Sequence, residues 1–215
     1  MCKYGALIIV FLLFSSGVFG QALQRNANIT VKWGNDFLAF PWAGGINDGQ
    51  FSTLDVNGDG IEDLFVFDRV SNRRLVFVQS SDVQGQSYYF HAPQFQSAFP
   101  QGLNNWVLLR DFNCDGLKDI YTNYQSGILL YENTTDETGY LSFTPVNNLQ
   151  LILASYDLGS GPFTAPLYCM SVDIPSIDDI DGDGDMDIIT NTESSSGMYF
   201  YKSMQVENGD CQNPQ

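Results

Sequence analysis

The hydrophobic positions of this chain fall into short runs of three or four residues, separated by polar and glycine-rich turns. After the first twenty residues, no segment repeats its apolar positions with a helical period. The runs are rich in β-branched and aromatic residues, which favour strands. The clearest runs are LFVF from Leu64, LVFV from Leu75, IYT from Ile120, ILLY from Ile128, IIT from Ile188 and MYFY from Met198. The pattern predicts an all-β protein.

These runs recur in a fixed order around one motif, D-x-[DN]-x-D-G-x-x-D. It occurs three times: loop 1 is DVNGDGIED (Asp55–Asp63), loop 2 is DFNCDGLKD (Asp111–Asp119) and loop 3 is DIDGDGDMD (Asp179–Asp187). Each loop has a short apolar or mixed segment before it and two β-rich runs after it. The first two repeats add an aromatic stretch, at 88–90 and 140–143. We therefore predict strand, loop, strand, turn, strand in each repeat, and a four-stranded antiparallel meander in the first two.

A four-stranded meander of this length is the unit of a β-propeller, in which it forms one blade. We divide the chain into a signal peptide at 1–20, an N-terminal strand segment at 21–50, blade repeats at 51–105 and 106–172, and an incomplete third blade repeat at 173–215. Propellers close with about four to eight blades. About three blades therefore predict an incomplete propeller, and we expect the chain to be the amino-terminal fragment of a longer protein.

The first twenty residues have the composition of an export signal. Lys3 precedes the apolar run Ala6–Phe14, and small residues follow. For a cut before Gln21, Val18 is at position minus three and Gly20 is at position minus one. The sequence predicts a secreted protein, extracellular or at the cell surface. A retained membrane helix is the weaker alternative because crossing a bilayer takes roughly 20 apolar residues. We expect no membrane span after the signal is removed.

The charge of the chain excludes one class of partner. The formal net charge is -16, with only 9 Lys and Arg residues. A protein that neutralises phosphates needs clustered basic residues, so the sequence predicts no nucleic-acid partner. The aspartates are concentrated in the three loops, which indicates a local role for the acidity.

The spacing of the acidic residues in each loop is typical of calcium ligands. Oxygens at positions 1, 3, 5 and 9, with a backbone carbonyl at position 7, form a set that a hard divalent cation prefers, and glycine at position 6 permits the sharp turn. An EF-hand or dockerin is the main alternative, but it needs an acidic twelfth residue and an exiting helix, whereas position 12 here is Val66, Thr122 or Thr190. Three acidic turns without metal are the other alternative.

The loops and their flanking strands resemble the FG-GAP or VCBS repeats of integrin-like propellers and of many secreted bacterial proteins, over roughly 51–204. The stretch VDIPSIDDIDGDGDMDIIT is also similar to repeats in secreted proteins of the Bacteroidetes. The resemblance implies about three calcium ions, bound by side chains at positions 1, 3, 5 and 9 and by the carbonyl at position 7. The implied ligands are Asp55, Asn57, Asp59, Ile61 and Asp63 in loop 1; Asp111, Asn113, Asp115, Leu117 and Asp119 in loop 2; and Asp179, Asp181, Asp183, Asp185 and Asp187 in loop 3.

Loop 3 has the most acidic side chains among these implied ligands. Its four side-chain carboxylates, against three in each of the other loops, predict the tightest calcium site. Repulsion with Asp178 and with the Asp185 side chain would reduce that difference.

The resemblance implies a surface binding or cell-adhesion module in which calcium is structural. Its ligand would be an unknown protein or a carbohydrate. Trp33, Trp42 and Trp106 could stack on sugars, or could fill contacts between blades. We predict no enzyme, because His91 is the only histidine and neither G-x-S-x-G nor H-E-x-x-H occurs. The alternatives are a non-catalytic propeller region of a secreted polysaccharide- or lipid-degrading enzyme, and a structural spacer.

Three cysteines remain after signal removal, Cys114, Cys169 and Cys211. We favour a disulfide between Cys169 and Cys211, which bracket loop 3. Three reduced thiols are the alternative.

Overall fold

The computed structural model describes residues 29–38, 41, 44–81, 85–146, 151–157, 159, 161–194 and 196–211. The signal peptide at 1–20 and Trp42 lie outside the described residues. In the described part of the chain, no helix has the length and apolar character needed to span a membrane.

The described residues form fifteen strands, one 3-10 helix at Pro93–Ala98 and one single-turn helix. The strands are β1 Lys32–Trp33, β2 Asp36–Phe37, β3 Gly49–Leu54, β4 Asp63–Asp68, β5 Arg73–Ser81, β6 Ser87–His91, β7 Val107–Arg110, β8 Asp119–Tyr124, β9 Gly127–Asn133, β10 Phe143–Pro145, β11 Leu153–Asp157, β12 Pro162–Pro166, β13 Ser176–Asp178, β14 Asp187–Asn191 and β15 Met198–Tyr201; the helix is α1 Gln205–Asn208. The all-β prediction is confirmed.

The strands are arranged as several antiparallel sheets, none of which is closed among the described residues. Sheet 1 has the order β3-β4-β5-β6, sheet 2 the order β7-β8-β9-β10 and sheet 3 the order β13-β14-β15. In each sheet, consecutive strands are neighbours and pair antiparallel, which is the order of a meander. β1 and β2 form a separate short hairpin in the N-terminal strand segment.

Sheet 2 has hydrophobic residues packed on both of its faces. Along β8, Ile120 belongs to a cluster shared with sheet 1, and its neighbour Tyr121 belongs to a cluster shared with sheet 3. On β9, Leu129 belongs to the cluster shared with sheet 1, and Leu130 belongs to the cluster shared with sheet 3. Successive strand residues point to opposite faces, so a run such as ILLY, apolar at every position, supplies both clusters. The unbroken apolar runs thus reflect a sheet covered on two sides.

A second hairpin, β11-β12, lies between sheets 2 and 3 in the chain and was not predicted. Tyr156 on β11 stacks on Phe163 of β12, with ring centroids 5.4 Å apart. The hairpin is joined to sheet 2 by the N–H of Ile152, which donates to the carbonyl of Ile128 at 2.9 Å. It accounts for the greater length of the second repeat.

The predicted disulfide is wrong: Cys114 is bonded to Cys211, and Cys169 is a buried free thiol. Cys114 is at position 4 of loop 2, and its sulfur lies 4.0 Å from the carbonyl oxygen of Gly184 in loop 3. Cys211 follows α1, and the two bonded Cα atoms are 5.4 Å apart, within the usual range for a disulfide. Loop 2 therefore lies next to the third repeat, a proximity that the spacing along the chain does not indicate.

Candidate functional site

Each of the three acidic loops connects the first and second strands of its sheet, and its first aspartate organises the turn. In loop 1, the Asp55 carboxylate accepts hydrogen bonds from the N–H groups of Gly58 and Gly60, both at 2.7 Å. The other loops repeat this bond to the glycine at position 6: Gly116 donates to Asp111 at 2.8 Å and Gly184 donates to Asp179 at 3.1 Å. Position 1 therefore holds the backbone amides inside the loop, as aspartate commonly does in turns.

Two residues of each loop have a left-handed backbone. The glycines at position 6 have φ values of 79, 87 and 101° in loops 1 to 3. Position 4 is also left-handed, with φ of 75° at Gly58, 59° at Cys114 and 83° at Gly182. Glycine adopts this region without strain. The motif specifies the glycine at position 6 and gives no indication of the left-handed backbone at position 4.

The ninth aspartate of each loop is fully buried and joins the loop to the third strand of its sheet. One carboxylate oxygen accepts the N–H of position 2, at 3.0 Å from Val56, 2.6 Å from Phe112 and 3.2 Å from Ile180. The other oxygen accepts an N–H at the end of the third strand or just beyond it, and the donors are Gln79 at 2.8 Å, Asn133 at 2.6 Å and Ser203 at 2.8 Å. Asp63, Asp119 and Asp187 are each 0% exposed. The sequence predicted these residues as metal ligands but not this hydrogen-bonding role.

Burial also sets the electrostatics of position 9. It raises the pKa of Asp119 to about 7, against the lowering effect of the hydrogen bonds from Asn133 and Phe112. Burial likewise raises the pKa of Asp63, and the nearby Asp59 and Asp55 carboxylates add to the increase. A cation bound in the loop would favour the ionised form of both groups.

Positions 3 and 5 of loops 1 and 2 lie at the protein surface with their polar groups in contact. The amide nitrogen of Asn57 donates to Asp59 at 3.0 Å, and that of Asn113 donates to Asp115 at 3.0 Å. The same aspartates accept the N–H of position 7, from Ile61 at 2.8 Å and from Leu117 at 2.7 Å. The side chains at position 7 are apolar and exposed, so these residues offer a cation only their carbonyls.

Among the described residues, groups of three close carboxylates occur only in and beside loop 3. The first group is Asp179, Asp181 and Asp187, and the second is Asp183, Asp185 and Glu207; within each group, one oxygen per residue lies within 4.8 Å of the others. The sequence assigned Asp185 a carbonyl role alone. Its carboxylate is nevertheless 0% exposed and accepts the N–H of Val206 in α1 at 3.0 Å.

Two charged residues beside loop 3, Lys202 and Glu207, lie outside the motif and were not predicted as part of the site. Lys202, directly after β15, forms ion pairs with Asp181, with Asp183 at 2.9 Å and with Glu207 at 2.7 Å. Hydrogen bonds with these three carboxylates raise the pKa of Lys202 well above its ordinary value. Both residues lie beyond the nine-residue motif, so only the register of β15 and the fold of α1 bring them to the loop.

The donor set of the three loops fits a hard divalent cation. The predicted ligands offer carboxylate, amide and carbonyl oxygens, and calcium binds six to eight such oxygens at about 2.3 to 2.6 Å. The sulfur of Cys114 is held in the disulfide and is not available as a ligand.

The fold and the loops define an all-β protein of repeated antiparallel sheets, with an acidic turn between the first two strands of each of three sheets. No protein-family model matches the chain, and neither the curated proteins nor the solved structures include a significantly similar protein. The case for a function therefore rests on the repeat and its geometry.

Proposed function

We propose that this chain is a secreted, calcium-binding module of FG-GAP/VCBS-type repeats, in which calcium stabilises the fold and the module serves in surface binding or adhesion. One observation carries the proposal: the same hydrogen-bond framework occurs in all three loops. In each, position 1 accepts the N–H of position 6, and position 9 accepts one N–H from within the loop and one from the third-strand side. Oxygen ligands at positions 3 and 5 then lie at the protein surface, where an ion has access.

The contacts between sheets support the interpretation of each sheet as a propeller blade. In a propeller, blades pack face to face around a central channel. The two faces of sheet 2 pack towards sheets 1 and 3. The first strands of the three sheets are also neighbours: Gln50 of β3 accepts the N–H of Val107 in β7 at 2.9 Å, and Arg110 of β7 donates to the carbonyl of Ile177 in β13 at 2.8 Å.

The positions of the loops support a structural role for calcium. Loop 1 meets the turn after β9, where Gly58 lies against Gly139. Lys118 of loop 2 donates to the carbonyl of Thr53 in β3 at 2.9 Å and pairs with Glu62 of loop 1 at 2.8 Å. An ion that orders one loop therefore also orders a contact between neighbouring sheets.

The surface offers aromatic groups for a protein or carbohydrate ligand. Tyr88, Tyr89 and Phe90 on β6, the outermost strand of sheet 1, are each exposed. Trp33 is 80% exposed, whereas Trp106 is fully buried in the cluster shared by sheets 2 and 3. The proposed sugar-stacking role is therefore confined to the exposed aromatics, and Trp106 serves in packing.

Calorimetric calcium titration of chelator-treated protein lacking residues 1–20 tests the proposal. We expect at least two ions per chain and a melting temperature that rises in millimolar calcium. Asp59→Ala and Asp115→Ala should each remove one ion, whereas Asp36→Ala, an exposed aspartate of β2, should remove none. Fewer than two ions, or a melting temperature that does not respond to calcium, would contradict the proposal.

The proposed location has a separate test, the mass of the mature amino terminus after expression in an exporting host. We expect a chain that begins at Gln21 and is found outside the cytoplasm. A cytoplasmic product that retains Met1 would contradict secretion and would leave the calcium result unaffected.

A further inference from the structure

In each repeat, one residue in or directly after the third strand lies beside the acidic loop, and the type of this residue differs among the three repeats. In the antiparallel registers, Leu64 pairs with Phe77, Ile120 with Tyr131, and Ile188 with Tyr201. One step along each register brings the next residue opposite the ninth aspartate of the loop. We call this the facing position; it is Val78 for loop 1, Glu132 for loop 2 and Lys202 for loop 3. Residues directly opposite in such a pair share one face of the sheet.

The facing position of loop 1 adds no charge. Val78 is 4% exposed and belongs to the cluster between sheets 1 and 2. Cation binding to loop 1 therefore depends on the ligands of the loop itself.

The facing position of loop 2 adds a fourth carboxylate. A Glu132 oxygen lies 3.2 Å from the amide nitrogen of Asn113, the residue at position 3. The amide nitrogen of Asn113 is also 3.0 Å from Asp115, so Glu132 and Asp115 converge on the same surface group. An additional carboxylate at this point increases the attraction of loop 2 for a divalent cation.

The facing position of loop 3 adds an ammonium group. Lys202 pairs with Asp181 and Asp183, the residues at positions 3 and 5, and with Glu207 of α1. The buried Asp185 carboxylate is beside it in the group that contains Asp183 and Glu207, and its Oδ1 has no hydrogen-bond partner among the described residues. Loop 3 thus gathers the most negative charge and already holds a tethered cation against it.

We propose that the facing position sets the order of calcium affinity of the three loops, and that the Lys202 ammonium competes with calcium for the carboxylates of loop 3. This inference rests on the proposed calcium binding. Loop 2 is the tightest site, loop 1 is intermediate and loop 3 is the weakest. The order is the reverse of the one expected for loop 3 from its number of carboxylates, because calcium must displace the Lys202 ammonium from positions 3 and 5 or bind beside it.

The test is a calcium titration of the chain lacking residues 1–20, comparing wild type with Lys202→Gln and Glu132→Lys. We expect Lys202→Gln to tighten the weakest site at least tenfold, and we expect this gain to disappear when Asp183→Ala is added. Glu132→Lys should weaken the tightest site at least tenfold, because it gives loop 2 the ammonium of loop 3. Lys32→Gln is the matched control: Lys32 lies on β1, outside the three loops, with its Nζ 4.2 Å from the ring centroid of Phe37, so its removal should change no site by more than about twofold.

The melting temperature in chelator provides a second measurement. Lys202→Gln leaves the loop 3 carboxylates without a cation, so this variant should melt below wild type in chelator and recover in calcium more than wild type does. Calcium dissociation constants that are unchanged in both Lys202→Gln and Glu132→Lys, while wild type binds two or more ions, would overturn this inference alone. Wild type and all variants failing to bind calcium would overturn the proposed function together with it.

Discussion

Asp119 and Asn133 are joined by a hydrogen bond of 2.6 Å from the backbone N–H of Asn133 to the Oδ1 of Asp119. Asp119 is the last residue of loop 2, and Asn133 is the last residue of β9. The Oδ2 of the same carboxylate accepts the N–H of Phe112 at 2.6 Å. The buried carboxylate thus joins the start of the loop to the third strand of the sheet, a connection that requires no metal.

This connection predicts different behaviour for positions 9 and 5 of the same loop. Asp119→Ala leaves two backbone N–H groups without an acceptor, so we expect the free energy of unfolding to fall by about 2–4 kcal/mol both in calcium and in chelator. Asp115→Ala should lower the free energy of unfolding mainly in calcium. One site with a dissociation constant of about 0.1–1 mM contributes about 0.4–2.7 kcal/mol at about 1–10 mM calcium.

Denaturant unfolding of both variants, each in calcium and in chelator, measures these losses. Asp36→Ala, exposed on β2 and outside the loops, is the control for removal of an acidic side chain. A loss for Asp119→Ala that appears only in calcium would show that position 9 acts as a ligand alone.

The sequence predicted the loops and most strands of the three repeats because their information is local; the fourth strand of sheet 2 is Phe143–Pro145, later than the predicted 140–143. An apolar run such as LFVF and a D-x-N-x-D-G turn each specify their own structure, and the run lies in β4 directly after loop 1. The β11-β12 hairpin was missed because it lacks an acidic loop, and its second strand begins and ends with proline, at Pro162 and Pro166. Proline within a run argues against a strand.

The parts of the site that sequence could not predict depend on register and on contacts between repeats. Lys202 and Glu132 lie outside the nine-residue motif and reach their loops only through the pairing of the third strand with the second. The disulfide was assigned from spacing along the chain, whereas Cys114 and Cys211 meet because loop 2 contacts the third repeat. A single sequence contains no direct signal for either relationship.

The disulfide predicts a large stability difference between two cysteine variants. Cys114 and Cys211 are 97 residues apart, and closing a loop of about 100 residues stabilises a fold by roughly 3–5 kcal/mol in the chain-entropy description. We expect Cys114→Ser combined with Cys211→Ser to lose about that much free energy of unfolding. Cys169→Ala is the control and should lose about 1 kcal/mol, because it removes one small buried side chain. A non-reduced peptide map showing Cys169 bonded to Cys211 would contradict the assignment.

Cys169 should be unreactive in the native protein. It is buried, and burial, with a smaller contribution from the Asp173 carboxylate, raises the pKa of its thiol to about 12. Because the thiolate is the reactive form, iodoacetamide at pH 8 should modify native Cys169 far more slowly than an exposed thiol. In concentrated guanidinium chloride without reductant, we expect one modified thiol per chain lacking residues 1–20. Rapid modification before unfolding would contradict both the burial and the raised pKa.

A comparison of alanine substitutions at Gly58 and Gly60 tests how closely loop 1 packs on sheet 2. Both glycines have left-handed backbones, with φ of 75 and 79°, so alanine costs about 1–2 kcal/mol of backbone strain at either position. A Cβ at Gly58 would lie 3.0 Å from the Cα of Gly139, whereas a Cβ at Gly60 has no atom within 4 Å. The equivalent of Gly58 in loop 2 is Cys114, which carries a side chain at φ 59°, so position 4 accepts a Cβ where its neighbour leaves room. The approach of Gly139 therefore makes glycine necessary at position 58.

We expect Gly58→Ala to lower the free energy of unfolding by about 1–3 kcal/mol more than Gly60→Ala, since two backbone segments must separate to admit the methyl group. Denaturant unfolding in chelator measures the difference without a contribution from calcium. Gly139→Ala supplies the reciprocal test, because its Cβ would lie 3.1 Å from the Cα of Gly58. If both contact variants behave like Gly60→Ala, loop 1 does not pack on the turn after β9, and the ordering of that contact by calcium in loop 1 has no structural basis.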